Sequence, residues 1–573
     1  MNKLEKLSFF FKERPYIDLV VIPLIIFVIS FFVANHIYAV LIDHGREFYI
    51  PEQMLKGKVL YKDITLIYFP LGYYINALIY KLLGVSINSL LISQTILGAI
   101  YMNIYYLLSR EFLSRKTSLL ITLLIIFSSL FANTSFFNFI TPYSYSMTYG
   151  LMFLTLSTLF IVKLYRTDNL LYAYLVSISL GITLCFKFEF YIAFILLVLA
   201  LFLYKRLNIK QYVMLILSFF IFPILLLLLL FMQGVTWQNL YDAIDFGVKF
   251  SKTKAMTDFL SEAGMYPLHI SQKIQEIVNY LPYFITVILW CFAALKLNHT
   301  YKKKYILPFF IIIIWHSFYH AHYINFYWII LPILVLSLLI VNFKKLLLCY
   351  PDKSAILMII AGLLFSQRIF FSLTLYGYGT FALPLLLLGF IVILKNIMPE
   401  DISAIKTKSI ISYILVVLIV FYSYNLFTKY TKTQYKITST KGAIYTSEDE
   451  YNKLNFLINY IETSINPKET LLVLPEGTFL NFITDRNVDM KCFMMDRLYH
   501  DAYGAEKAKE IIARTNSDYI ILIHDNVKFM SKYPYLYEGN NSLAYLYIVK
   551  NYSVVKTEKI GYSDYTILKR NKI

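Results

Sequence analysis

Charge is scarce in this sequence. Of its 573 residues, 15% are Asp, Glu, Lys or Arg and 58% are hydrophobic. Soluble domains carry about 25% charged residues, so a water-soluble fold of this length is excluded. Cysteine is scarce as well: Cys185, Cys291, Cys349 and Cys492 lie far apart and form no CxxC pair. Neither a disulfide framework nor a zinc knuckle is indicated. Acidic residues are outnumbered, 35 against 53 Lys and Arg, for a net charge of +18. The basic residues sit in short clusters between apolar runs rather than along one face, so nucleic acid is not the partner they imply. No internal repeat is visible, which counts against the inverted-repeat transporters. No small-residue cleavage site follows the first apolar run, which is too long for a signal-peptide core and is expected to be a retained anchor.

What is abundant is apolar runs of about twenty residues, the length that crosses a hydrocarbon core. About thirteen spans are expected: 16–41, 87–109, 117–134, 143–162, 170–185, 190–204, 211–232, 278–295, 305–320, 323–341, 354–371, 375–394 and 409–428. The stretch 67–84 is apolar but short, and is placed in the outer interface. The basic loops 1–15, 110–116, 163–169, 204–210, 296–304, 342–353 and 395–408 then share one side, and the positive-inside rule makes that side cytoplasmic. The chain reads as a polytopic α-helical protein of the cytoplasmic membrane. Its N-terminus is cytoplasmic and its long loops 42–86, 135–142 and 233–277 lie outside.

The composition changes after about residue 428. An amphipathic helix over 448–465, a strand at Leu471–Leu474, a helix near 503–516 and a strand at Tyr519–Ile523 precede two late strands, 553–560 and 564–569. That alternation predicts a small extracytoplasmic α/β domain over 429–573, after a transmembrane domain over 1–428.

The loop VLIDHGREFYIPEQMLKGKVLYKDITLIYFPLGYYINALIYKLLG carries the most chemical information. Asp43 falls where the first span is expected to leave the membrane. Arg46 and Glu47 follow within about a turn, with Asp43 and Glu47 on one helix face. Ionisable groups at membrane depth default to function, although a capping and interface cluster has the same composition. The acidic residue after the first span, the segment GKVLYKDI and the stretch PLGYYIN resemble the type C glycosyltransferases. The nearer likeness is to the protein mannosyltransferase and lipid A aminoarabinose transferase branch. Thr141-Pro142-Tyr143-Ser144-Tyr145 opening a span, Lys187-Phe188-Glu189 at an outer end, and the outer α/β domain extend the resemblance.

The resemblance implies a polyprenyl-phosphate sugar as donor, an acceptor lipid, glycan or protein, and Asp43 as the base that deprotonates the acceptor. A second acidic residue of the loop is Glu47 or Asp63, between which the sequence does not choose. Nucleotide sugars are made in the cytoplasm, so an outer-face transferase needs a lipid-borne donor. A phosphate leaving group needs cations rather than a carboxylic acid. Arg46, Lys62, Lys187 and Arg368 stand at outer segments or span ends. Each has a plainer reading: Lys187 can simply pair with Glu189, Arg368 can anchor an interface, and Lys62 can snorkel. His316, His320 and His322 cluster at an outer span end beside aromatic residues. They suit an interfacial belt, contact with sugar or phosphate or, for His316 and His320 at i,i+4, a shared metal. Tyr378 could stack on a sugar or prenyl group. One base and one displacement require no cofactor and predict inversion at the anomeric carbon. A transporter or flippase of lipid-linked glycans, and a polysaccharide polymerase or ligase, are the alternative readings.

Overall fold

A computed structural model of the chain describes residues 15–37, 40–41, 43–134, 137–204, 207–262, 275, 278, 331–349, 353–369, 379–397, 404–488, 491, 493–525 and 543–571. The spans expected at 278–295 and 305–320 fall outside these residues, as do His316, His320, His322 and Tyr378 and the side chain of Arg368.

Five described helices are long and apolar enough to cross a membrane: Ile87–Arg110, Tyr145–Thr167, Ile209–Met232, Leu331–Leu348 and Ile414–Lys432. Five shorter apolar helices accompany them: Asp18–Val33, Leu170–Leu184, Phe188–Tyr204, Ser354–Phe365 and Thr380–Asn396. The described residues therefore hold ten apolar helices against the thirteen spans expected from sequence. The chain is a polytopic helical membrane protein with a sheet-containing C-terminal domain.

The helices needed below are numbered in chain order. Three precede the main bundle: α1 (Asp18–Val33), α2 (His44–Leu55) and α3 (Leu71–Leu83). The bundle continues with α4 (Ile87–Arg110), α5 (Arg115–Ile125), α6 (Tyr145–Thr167), α7 (Leu170–Leu184), α8 (Ile192–Tyr204) and α9 (Ile209–Met232). The stretch 67–84 yields only the 13-residue α3, about 20 Å long and too short to span. Its inner face buries Tyr73, Asn76 and Tyr80, while Leu78, Leu82 and Leu83 stay exposed. A short, non-spanning stretch is the expectation there, and its form as a half-buried helix is what the structure adds.

Two ends of the bundle can be told apart by their charges. At one end Arg115 pairs with Asp18 at 2.6 Å, Lys163 and Arg166 pair with Glu111 at 2.5 and 2.7 Å, and Lys395 Nζ donates to the carbonyl of Phe112 at 2.7 Å. Tyr204 OH donates to Asp168 at the same end. These contacts gather the basic loops around 110–116, 163–169 and 204–210 and the start of 395–408 at one end. Helices α7 and α8 form a hairpin whose turn, at Lys187, lies at the opposite end.

The first span differs from its expectation. The helix stops at Val33, not Leu41, and residues 34–37 turn onto the C-terminal domain. That domain opens with a hairpin, β1 (Tyr435–Ser439) and β2 (Gly442–Thr446). Ile37 N–H donates to Tyr445 O at 2.8 Å and Tyr445 N–H donates to Asn35 O at 2.8 Å, laying the chain alongside β2. The His36 ring stacks on Tyr445 at 4.9 Å and bonds Thr433 Oγ1 at 2.8 Å. The apolar run continued to Leu41 because Ile37, Val40 and Leu41 are buried. They are buried in protein, which hydropathy does not distinguish from lipid.

The sheet that follows has the order β3-β4-β6-β5, from β3 (Leu471–Leu474), β4 (Tyr519–Asp525), β5 (Tyr552–Ile560) and β6 (Ser563–Arg570). Strands β3 and β4 are parallel with Leu472 opposite Ile520, and the other pairings are antiparallel. Strand β3 stands at the end of this order yet is fully buried, and it reads as the continuous apolar run of a buried parallel strand.

Candidate active site

Helix α2 lies between the apolar bundle and the C-terminal domain. Gly45 makes this possible: a Cβ there would come within 2.3 Å of Phe479 N, in the short helix Thr478–Ile483 that follows β3. The Phe48 ring stacks on Phe482 at 5.5 Å, and Tyr80 of α3 donates its hydroxyl to Phe48 O. Thus α2 is gripped from both sides, and ten of its twelve residues are buried.

The residue that opens α2 is Asp43, with φ 62° and ψ −50°. That is a γ-turn conformation which side-chain-bearing residues rarely adopt. Backbone strain of this kind costs about 1–3 kcal/mol and persists where the surroundings enforce it. Two bonds hold it here. Asp43 N–H donates to Glu476 Oε1 at 2.7 Å, and Asp43 Oδ1 accepts from Arg46 Nη2 at 3.0 Å. Because glycine tolerates positive φ and alanine does not, Asp43→Gly is expected to melt higher than Asp43→Ala. The gap should be about 1–2 kcal/mol, read by thermal unfolding in detergent, since both variants lose the carboxylate and only one keeps the strain.

Arg46 organises the rest. Its Nη2 also donates to Tyr143 O at 3.0 Å, its Nε faces Glu47 Oε1 at 3.5 Å, and its guanidinium lies 5.1 Å from the Tyr68 ring centroid. Glu47, 1% exposed, accepts from Tyr73 OH at 2.7 Å and from Tyr145 N–H at 2.9 Å. Lys187, from the α7–α8 turn, completes the cluster. Its ammonium bonds Tyr143 OH, stands 3.4 Å from Glu189, and faces the Tyr143 and Tyr68 rings at 4.4 and 4.8 Å. Cations over aromatic faces in a desolvated site are held by each ring's quadrupole.

Asp43, Glu47, Arg46, Lys187 and Glu189 therefore lie in one cluster. Asp63 does not: it closes its own turn, accepting from Val59 N–H at 2.8 Å. Of the two second-acid candidates, only Glu47 reaches the cluster. Lys62 is exposed and its ammonium lies against Gly234, in the turn beyond α9.

Two further carboxylates were not foreseen. Glu476 follows the end of β3, and Asp496 caps the short helix α18 (Arg497–Tyr503), accepting from Tyr499 N–H at 2.9 Å. (The numbering counts helices Leu331–Cys349, Ser354–Phe365, Thr380–Ile397, Ala404–Lys432, Glu448–Ser464 and Thr478–Ile483 as α12 to α17, after α10 and α11 at Trp237–Lys252 and Lys254–Glu262.) Burial, reinforced by the Asp43 carboxylate, raises Glu476 to about 8 and Asp496 to about 6. Burial also raises Glu47, against the pull of Arg46, Tyr73 and the Tyr145 amide. One sequence signal could have found Glu476. It stands just past the carboxyl end of a parallel strand, where open α/β sheets place their ligand-binding residues.

A raised carboxyl binds more protons folded than unfolded, so its contribution to stability is greatest below the unfolded value. That contribution is lost as pH climbs from about 4.5 through about 8. Melting followed across this range should fall less steeply for Glu476→Gln than for the natural chain. Parallel curves would show that Glu476 is not protonated in the folded state.

No protein-family model and no curated protein matches the sequence. Among solved structures, the fold is similar to the oligosaccharyltransferase AglB of Archaeoglobus fulgidus in complex with an inhibitory peptide and a dolichol-phosphate. That match has 12% identity, covers 88% of this chain and 69% of that one, and has a TM-score of 0.43. The Archaeoglobus fulgidus oligosaccharyltransferase with Zn and sulfate matches at 13% identity over 95% and 72%, with a TM-score of 0.46. ArnT from Cupriavidus metallidurans bound to undecaprenyl phosphate matches at 10% identity over 96% and 97%, with a TM-score of 0.42.

Proposed function

We propose that this chain is an inverting membrane glycosyltransferase. It moves a sugar from a polyprenyl-phosphate donor to an acceptor hydroxyl on the extracytoplasmic side of the cytoplasmic membrane, with Asp43 as general base. The observation that carries the reading is the setting of Asp43. Its side chain is 22% exposed while that of its partner Arg46 is 5% exposed, in a strained loop between the apolar bundle and the C-terminal domain. In such a place a base can meet a lipid-borne donor and a water-borne acceptor together.

The step balances simply. Asp43 takes the acceptor proton, the acceptor oxygen bonds the anomeric carbon from the face opposite the phosphate, and the carbon–oxygen bond to phosphate breaks. The electron pair leaves on the phosphate oxygen, already a stable anion. Lys187 and Arg46 supply fixed positive charge beside it, which favours charge building in a dry site. Arg46 has a second duty, because its Nη2 fixes the Asp43 oxygen it touches. Glu47, with both oxygens engaged, holds Arg46 and the start of α6 in place.

The test is chemical. Purified chain in detergent, given polyprenyl-phosphate sugars, should release free polyprenyl phosphate as the sugar passes to a supplied hydroxyl acceptor or, more slowly, to water. A protein that only carries lipid-linked glycans across a bilayer would release none.

A further inference from the structure

Beyond the reaction centre, α10 (Trp237–Lys252) is apolar on two opposed sides. Four residues separate it from α9, in a turn where Gly234 takes φ +83°, and Thr236 and Asn239 cap it reciprocally. Residues advance about 100° each around a helix. Phe246 and Phe250 therefore lie on one side, where they pack on α18: Phe246 meets Tyr503 at 4.3 Å and Phe250 meets Tyr499 at 5.1 Å. Trp237, Tyr241, Ile244 and Val248 form a stripe on the opposite side and are 70%, 64%, 66% and 45% exposed. Asp242, Asp245, Lys249 and Lys252 occupy one flank between the two.

We propose that α10 lies in the plane of the membrane, with the C-terminal domain resting on one side and the Trp237–Val248 stripe embedded in the bilayer's interfacial region. The occupant follows from continuity. Immediately before α10, the outer end of α9 exposes Leu225, Leu228 and Met232, as a spanning helix facing lipid does. The Phe231 ring meets Trp237 at 4.8 Å, so a direct ring contact joins the apolar surface of the spanning helix to that of α10. Trp and Tyr at the head of the stripe suit headgroup level. An amphipathic helix with a charged flank and an apolar stripe lies flat at that depth rather than crossing.

The consequence is mechanical. Helix α18 begins at Asp496, one of the carboxylates whose charge reaches Asp43. By clamping α18, α10 holds that edge of the C-terminal domain at a fixed height over the lipid.

The test uses the full chain in lipid nanodiscs, with a fluorescent amino acid incorporated at position 244 and, separately, at 242 on the charged flank. A quencher carried on lipid acyl chains should dim position 244 more than 242, and aqueous iodide should do the reverse. Iodide quenching at 244 without lipid quenching would overturn the proposal. So would protection of 244 from both, which would mean that a second copy or another part of this chain covers the stripe. Should the label at 244 prevent folding, position 241 reports on the same stripe with the same two outcomes.

Discussion

Asp43→Asn is expected to lower donor turnover by about 10²–10⁴-fold, the usual contribution of a positioned general base, while the protein still folds and still binds polyprenyl phosphate. The amide keeps the shape of the carboxylate and can accept from Arg46, so the Arg46 contact at 3.0 Å need not be lost. What disappears is the ability to take a proton from the acceptor. Donor binding relies on apolar surface and on Lys187 and Arg46, which the substitution leaves in place. The two quantities should therefore separate in steady-state release assays and lipid-binding titrations. Equal turnover in Asp43→Asn and the natural chain would remove Asp43 from the chemistry.

Arg46→Met is expected to be the most destabilising single change in the site, by about 3–5 kcal/mol, because breaking a buried ion pair strands its partners. Glu47 would lose its cation at 1% exposure, and the carbonyl of Tyr143 would lose a donor. Methionine fills most of the volume, so the loss is electrostatic rather than a cavity. Adding Glu47→Gln to Arg46→Met should restore part of the melting temperature, since the stranded charge goes too. Arg46→Lys should restore less, because a point ammonium cannot reach Asp43, Glu47 and Tyr143 together. If Arg46→Met melts with the natural chain, the cluster does not hold α2 in place.

Much of this arrangement could be read from residue order, for local reasons. Spans declare themselves by length and apolarity. The strands at Leu471–Leu474 and beginning at Tyr519 appeared at their expected positions because buried parallel strands are short continuous apolar runs. The Arg46–Asp43 and Arg46–Glu47 contacts were legible because these residues sit within about a turn of one another. What could not be read was whatever depended on contact between distant segments. Glu476 stands 433 positions from the amide it holds, and nothing in VLPEG announces that partner. The end of α1 was misplaced because Ile37 and Val40 hide in protein. Asp63 looked equivalent to Glu47 because both are acids in one loop, and only the turn at Val59 separates their roles.

The pairing of residues 35–37 with Tyr445 orders events during synthesis. The opening segment leaves the ribosome some four hundred residues before its partner strand exists. Until residues 445–476 have been made, the segment 35–37 lacks Tyr445 beside it and the Asp43 amide lacks Glu476. A chain ended before Glu476 would thus insert its early helices and still lack the carboxylate that holds the Asp43 amide.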